Sequence, residues 1–254
     1  MKTIVLNIQK GGVGKTSLSV SLAAELAKET GNVLLIDADP QGSATNWIGQ
    51  KDIPSELSDV LFGKADLKTT ITKTNTEGLF LLPTAGQGGG LNLYAKTLAN
   101  QQDRCIKKIT REAAAFFGYR FCVIDMSPAF GALEWACFIA ADEVITPVLP
   151  DSFAADGLAT FADNLTQFRS DKETDKPFYK RIIINSIDHR IPQHEKTLET
   201  IKQGNNGFLL YEFPVDPAFR KSQAAGITIR ELQGAKKETL SELNRLSLDI
   251  IKEV

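Results

Sequence analysis

A glycine-rich turn between an apolar strand and an amphipathic helix constrains this chain more than any other stretch: Gln9-Lys10-Gly11-Gly12-Val13-Gly14-Lys15-Thr16-Ser17. Before it, Thr3 to Ile8 is mainly β-branched and aliphatic with no breaker, the composition of a strand buried on both faces. After it, Leu18, Leu22, Ala23, Leu26 and Ala27 recur at helical spacing up to Gly31, a natural C-terminal stop. A turn that leads from a strand into a helix N-terminus aims a row of backbone N–H groups and a positive dipole end at one point. Such a point attracts polyphosphate.

The usual phosphate-loop pattern is G-x-x-x-x-G-K-[ST]. Gly14-Lys15-Thr16 supplies its end, but Gln9 stands where its first glycine belongs, so the strict pattern fails. The sequence reads instead K-G-G-V-G-K-T, with a second lysine, Lys10, ahead of the glycines. In this it resembles the ParA/MinD family of deviant Walker-A ATPases, which position DNA, division proteins and large cargo inside bacterial cells. The resemblance implies ATP with Mg²⁺ as cofactors, held by Gly11, Gly12, Val13, Gly14, Lys15, Thr16 and Ser17. As in any P-loop, Lys15 is expected to reach the β- and γ-phosphates and the Thr16 hydroxyl to bind Mg²⁺. Lys10, in the resembled family, crosses to the nucleotide of a facing subunit, so that two ATP-bound copies close as a homodimer and a lysine does the work of an arginine finger.

A second apolar run, Val33 to Ile36, ends in Asp37-Ala38-Asp39-Pro40-Gln41-Gly42, where a doubly wound sheet places its ligands. Side chains alternate along a strand, so only one of Asp37 and Asp39 is expected to face the phosphates squarely. The family's D-x-D-P-Q motif matches residues 37–41 and implies that Asp39 positions or activates the attacking water, with Asp37 an outer Mg²⁺ residue or a structural one. Phe121 to Ile124 delivers Asp125, suited to the Walker-B role of holding Mg²⁺ or its water. Asn185, ending the run Arg181 to Ile184, resembles the family's adenine-side position, and Pro214 is carried over as a second adenine contact. Two departures stand out. Asp125-Met126-Ser127-Pro128 replaces D-x-P-P, and Phe213-Pro214-Val215-Asp216-Pro217 replaces the I-P-R-N-V-R of chromosomal ParA proteins.

Further strands are expected at Leu79–Leu82, Glu143–Val148 and Phe208–Phe213. Helices are expected near Ser55–Leu61, over Leu91–Phe117 in one or two segments, and at Leu133–Ala140, Phe153–Phe168, Pro192–Lys202 and from Ala235. The alternation predicts one α/β domain over residues 1–254: a doubly wound, mostly parallel sheet of about seven strands with helices on both faces, the P-loop NTPase fold.

Formal net charge is −2, so nucleic-acid binding must come from a local patch. Arg220 and Lys221, with Arg230, Lys236 and Lys237 nearby, are the candidates for DNA contact. Cys105, Cys122 and Cys137 show no C-x-x-C spacing, which argues against a zinc site or a disulfide framework and fits a reducing cytoplasm. Isolated cysteines also leave an iron–sulfur carrier without a bridging pair. Only Met1 and Lys2 precede the first strand, so neither a signal peptide nor the helix-turn-helix domain of large plasmid ParA proteins is expected. Leu240, Leu243, Leu246, Ile250, Ile251 and Val254 form an apolar stripe, as a MinD-like membrane helix would. Its flanking charges are mixed, however, and core packing is the better account.

The expectation is therefore a short ParA-type ATPase, cytoplasmic and nucleoid-associated. Its partners would be non-specific double-stranded DNA and a ParB-like or centromere-binding adaptor, with no membrane. The alternatives are a ParA-like positioner of protein cargo, a MinD-like membrane-associated ATPase, or a P-loop enzyme that uses ATP to activate a small acid.

Overall fold

The computed structural model describes residues 1–98, 104–204 and 207–254. In chain order its elements are β1 (Lys2–Leu6), α1 (Lys15–Thr30), β2 (Val33–Ala38), α2 (Ser43–Ile48), α3 (Leu57–Leu61), α4 (Leu67–Thr70), β3 (Thr72–Lys73) and β4 (Leu79–Leu82). These are followed by α5 (Leu91–Thr97), α6 (Cys105–Phe117), β5 (Phe121–Met126), α7 (Ala132–Ala140), β6 (Glu143–Val148) and α8 (Ala154–Asp171). The chain closes with β7 (Phe178–Ile187), α9 (Pro192–Gly204), β8 (Leu209–Pro214), α10 (Ala218–Ala225) and α11 (Lys237–Ile251).

The strands form one sheet in the order β3-β4-β2-β5-β1-β6-β7-β8. All pairs are parallel except β3 with β4, where Thr72 faces Leu81. That antiparallel pair accounts for an eighth strand beyond the seven expected: β3 is two residues long, too short to leave a periodic trace. Helices α2, α4 and α10 were likewise absent from the sequence reading. The expected Leu91–Phe117 helix is two helices, α5 and α6, and its stretch 99–103 lies outside the described residues.

Alternation along the central strands splits the core in two, because successive side chains point to opposite faces. Ile4, Leu6, Val33 and Leu35 join the cluster under α1 and α11, while Val5, Leu34 and Ile36 join the one under α6, α7 and α8. β1 lies between β5 and β6, and the connections from β1 and β5 run to opposite sides of the sheet. A crevice opens at such a reversal, beyond the carboxyl ends of the strands. The glycine-rich turn sits there.

The C-terminal stripe is core except at its end, where Val254 is exposed. Leu243, Leu246 and Ile250 are at most 1% exposed. Buried Arg181 ties α11 down: it pairs with Glu143, meets Glu253 at 2.7 Å and donates to the Asp249 carbonyl at 3.1 Å. α11 also covers part of the open edge of β8, since Glu242 accepts the Glu212 N–H at 3.0 Å and Arg245 donates to the Leu210 carbonyl at 2.6 Å. Edge groups left bare would invite pairing with another chain. Among the described residues no helix is long and apolar enough to cross a membrane.

Candidate functional site

Between β1 and α1 the chain turns through Gly12 and Gly14, whose φ angles of 74° and 91° are left-handed. Gly14 is required twice over, because a Cβ there would stand 2.4 Å from the Asn185 Nδ2. That same Nδ2 donates to the Val13 carbonyl at 2.9 Å, so the end of β7 braces the loop from beside it. Inside the loop Lys15 is 8% exposed and its Nζ donates to the Lys10 carbonyl at 2.9 Å. Burial lowers its pKa, while the charges of Asp125 and Asp39 act to raise it. α1 starts with no acidic residue in its first turn and no side-chain cap, leaving its first N–H groups for an anion.

Asp125 closes the hollow from β5. It is wholly buried, and Ser19 donates to its Oδ1 at 3.0 Å while its Oδ2 has no hydrogen-bond partner. Its pKa is pushed up to about 6, mainly by burial, against the lowering effect of the Thr16 and Ser19 hydroxyls. A buried carboxylate oxygen without a well-formed hydrogen bond, in reach of the Thr16 hydroxyl, fits a divalent cation or its water.

Asp37 differs from its neighbour in the sheet. Its Cα is the register partner of Asp125, yet both of its oxygens are engaged by protein: Oδ2 accepts from the Thr45 N–H at 2.8 Å and hydroxyl at 2.7 Å, and Oδ1 from the Asp39 N–H at 3.3 Å. Burial, with the Asp125 charge adding to it, pushes its pKa up to about 8. Asp39 is partly exposed and accepts the Gln41 N–H at 2.9 Å, and its charge acts on both Lys15 and Asp125. The structure thus brings Lys15, Thr16, Asp39 and Asp125 to one hollow, with Asp37 behind it holding α2.

Lys10 has the opposite environment. Its side chain leaves the loop on the outer side, where Nζ pairs with Asp151 at 2.5 Å and lies 5.9 Å from the Phe153 ring, a ring that is 69% exposed. Pro214, at the end of β8, is the register partner of Ile187 and so shares the sheet end that carries Asn185.

Several residues of the site were not singled out from sequence. Asn7 donates to the Ser127 carbonyl at 3.0 Å, Ser127 donates to Glu134 at 2.5 Å, and Glu134 accepts the Gly131 N–H at 2.9 Å. This network fixes the loop that follows Asp125. Glu134 supplies only the returning half of a capping box, since Gly131 has no side chain to give the other half. Buried Glu56 accepts the N–H groups of Ala85 and Gly90 at 2.5 and 2.6 Å, anchoring the glycine-rich stretch 86–90. No local signal announces that contact.

On the surface, Arg220 and Lys221 lie exposed on α10, and Lys236 and Lys237 are exposed where α11 begins. Arg230 does not belong with them: it forms a two-pronged pair with Glu25, 2.8 Å on each prong, and also donates to the Leu240 carbonyl. Cys122 and Cys137 are buried with their thiol pKa values raised by burial, and no group of three metal-ligating side chains occurs among the described residues.

The chain matches the AAA domain family over residues 1–176. It is 30% identical over 204 residues to the sporulation initiation inhibitor protein Soj of Bacillus subtilis, covering 80% of this chain and 79% of that one. Among solved structures, a putative plasmid partition protein of Borrelia burgdorferi bound to AMPPNP superposes with a TM-score of 0.81 at 23% identity, over 99% of both chains. Apo McdA of Cyanothece superposes with a TM-score of 0.83 at 19% identity, over 98% of this chain and 99% of that one.

Proposed function

The chain belongs to the ParA/MinD type of P-loop ATPases, within the AAA domain family, and from that premise we propose that it is a short ParA-type partition ATPase. In this reading two copies, each holding ATP and Mg²⁺, close face to face, and the closed homodimer binds double-stranded DNA without sequence preference. A ParB-like adaptor then stimulates hydrolysis and releases it, so that plasmid or chromosome DNA is segregated or positioned. The protein would work in the cytoplasm, on the nucleoid.

The observation that carries this reading is the division of labour between two lysines of one loop. Lys15 lines the hollow with Asp125, while Lys10 stands outside it and pairs, among the described residues, with Asp151. Within the hollow, Lys15 and the loop N–H groups would hold the phosphates, and Thr16 and Asp125 would hold Mg²⁺, which neutralises charge developing on the transferred phosphoryl group. Asp39 would orient the attacking water. Asn185, which braces the loop, and Pro214 beside it would flank the adenine.

Arg220 and Lys221 are offered as the DNA surface, doubled by a two-fold axis in the closed dimer. Phosphate contacts release counterions, so affinity should fall with salt by about 0.9 log unit per phosphate neutralised. Duplex binding measured by fluorescence anisotropy tests this. It should be tight with ATP, weak with ADP, and reduced with a shallower salt slope in the Arg220→Ala/Lys221→Ala variant. Equal binding in ATP and ADP would refute the reading.

A further inference from the structure

Residues 104–120 carry five cations and a single anion, Glu112, in a chain whose formal net charge is −2. α6 and the residue before it turn three of these cations, Arg104, Lys107 and Arg111, onto one flank, because steps of three and four return to the same side of a helix. They line a half-open cavity of about 570 Å³ whose other walls include Thr3, Asp142 and Lys176, near the N-terminal ends of β1, β6 and β7. The glycine-rich loop lies at the other end of these strands, roughly 15–20 Å away at about 3.3 Å per residue.

None of Arg104, Lys107 and Arg111 has an ion-pair partner among the described residues. Two carboxylates line the cavity with them: Asp142, which pairs with Lys176 at 2.6 Å and accepts the Thr3 N–H at 2.9 Å, and the exposed Glu173, set beside a further lining cation, Lys172, so that cations outnumber anions five to two. The Thr174 hydroxyl accepts the Lys176 N–H at 3.2 Å and keeps its own proton for an incoming oxygen. Like charges held together in a hollow repel one another. A polyvalent anion between them removes that repulsion and gives each guanidinium an oxyanion to fork onto.

We propose that this cavity binds a compact polyvalent anion of the phosphate class. Its volume falls within the roughly 300–1,000 Å³ of small-molecule sites. None of the α10 residues offered as the DNA surface lines this hollow, so the two sites are separate. The proposal does not depend on the partition reading.

The test is calorimetric titration of inorganic tripolyphosphate into the full chain, without Mg²⁺ and with ADP saturating the glycine-rich loop, at about 0.1 M salt. A sugar bisphosphate forms a second arm and separates a free oligophosphate from an organic phosphate as the preferred source. Expected is ADP-insensitive binding, weakened at least about tenfold in Lys107→Glu/Arg111→Glu and less so in Arg111→Lys, with ADP affinity and unfolding midpoint unchanged. If the charge reversal unfolds the chain, Lys107→Gln/Arg111→Gln is judged by the same criterion. Absence of ADP-insensitive binding of either probe in the parent, or unchanged affinity in the folded double variant, overturns the proposal.

Discussion

The inside and the rim of the glycine-rich loop are built from adjacent residues and behave as opposites. Inside, Lys15 is buried, donates to the loop's own backbone and shares its hollow with a carboxylate oxygen that lacks a partner. On the rim, Lys10 is about a third exposed and held by one ion pair to a loop of its own chain, beside an exposed aromatic ring. The inside is assembled within one chain, because the ends of β1, β2 and β5 and the start of α1 bring its groups together. At the rim, a charge and a ring are left where a second copy can reach them. In the proposed reading nucleotide binding and subunit coupling fall to different residues of one turn, and substitutions should separate them.

The largest expected effect is inside. Lys15→Ala removes the cation from a water-poor cradle and should abolish nucleotide binding, a loss of at least about a hundredfold by calorimetry. Binding within a fewfold of the parent would mean that the backbone N–H groups alone hold the phosphates.

Next in size is the pair of carboxylates. Asp39→Ala should bind Mg·ATP normally yet hydrolyse it about a hundredfold more slowly, leaving a long-lived ATP dimer. Asp37→Ala should act mainly on stability, since Asp37 serves Thr45 and the start of α2. Phosphate-release kinetics decide between them, and a dead Asp37→Ala with an active Asp39→Ala would reverse the assignment.

A pH measurement sharpens the account of the inside without using activity. In the nucleotide-free chain Asp37 and Asp125 hold their protons up to about 8 and about 6, whereas an ordinary aspartate loses its proton near 3.8. Folded-state pKa values above unfolded ones give stability that is present at low pH and lost as pH rises through the folded values. Urea midpoints should therefore fall between pH 4 and pH 8. Asp125→Asn should flatten that fall and leave the variant more stable than the parent at pH 8. A parallel decline in the variant would show that the pair does not titrate in this way.

The smallest effect is at the rim. Asp151→Asn frees Lys10 from a surface ion pair worth about 0.2–1 kcal/mol, so ATP-dependent dimerisation should strengthen by only about 1.4- to 5-fold for each of the two lysines freed. Weaker dimerisation would show that Asp151 itself contributes to the contact between copies.

Sequence legibility follows the same division. The apolar runs ending at Ile8, Ile36 and Ile124 are strong local signals, and they place the loop, Asp37 and Asp125 at one end of a parallel sheet. The family match covers this part of the chain and stops at residue 176. What was illegible depends on residues far apart in sequence. Lys10 meets Asp151 from 141 positions away, and Arg230 is diverted to Glu25 from 205 positions away, which removed it from the expected DNA patch. β3 and α10 are too short for periodicity to announce, at two and eight residues. The braced loop after Asp125 was not legible: glycine at the N-cap position hides the Glu134 contact, and the Asn7 contact exists only because β1 and β5 are neighbours.

The central claim is that Lys10 acts between copies while Lys15 acts within one. Multi-angle light scattering of Lys10→Ala with ATP and with ADP, alongside calorimetric nucleotide binding, tests it directly. The account predicts nucleotide affinity within about threefold of the parent, a monomer in both nucleotides, and a parent that dimerises with ATP alone. A Lys10→Ala chain that dimerises with ATP as the parent does would contradict it.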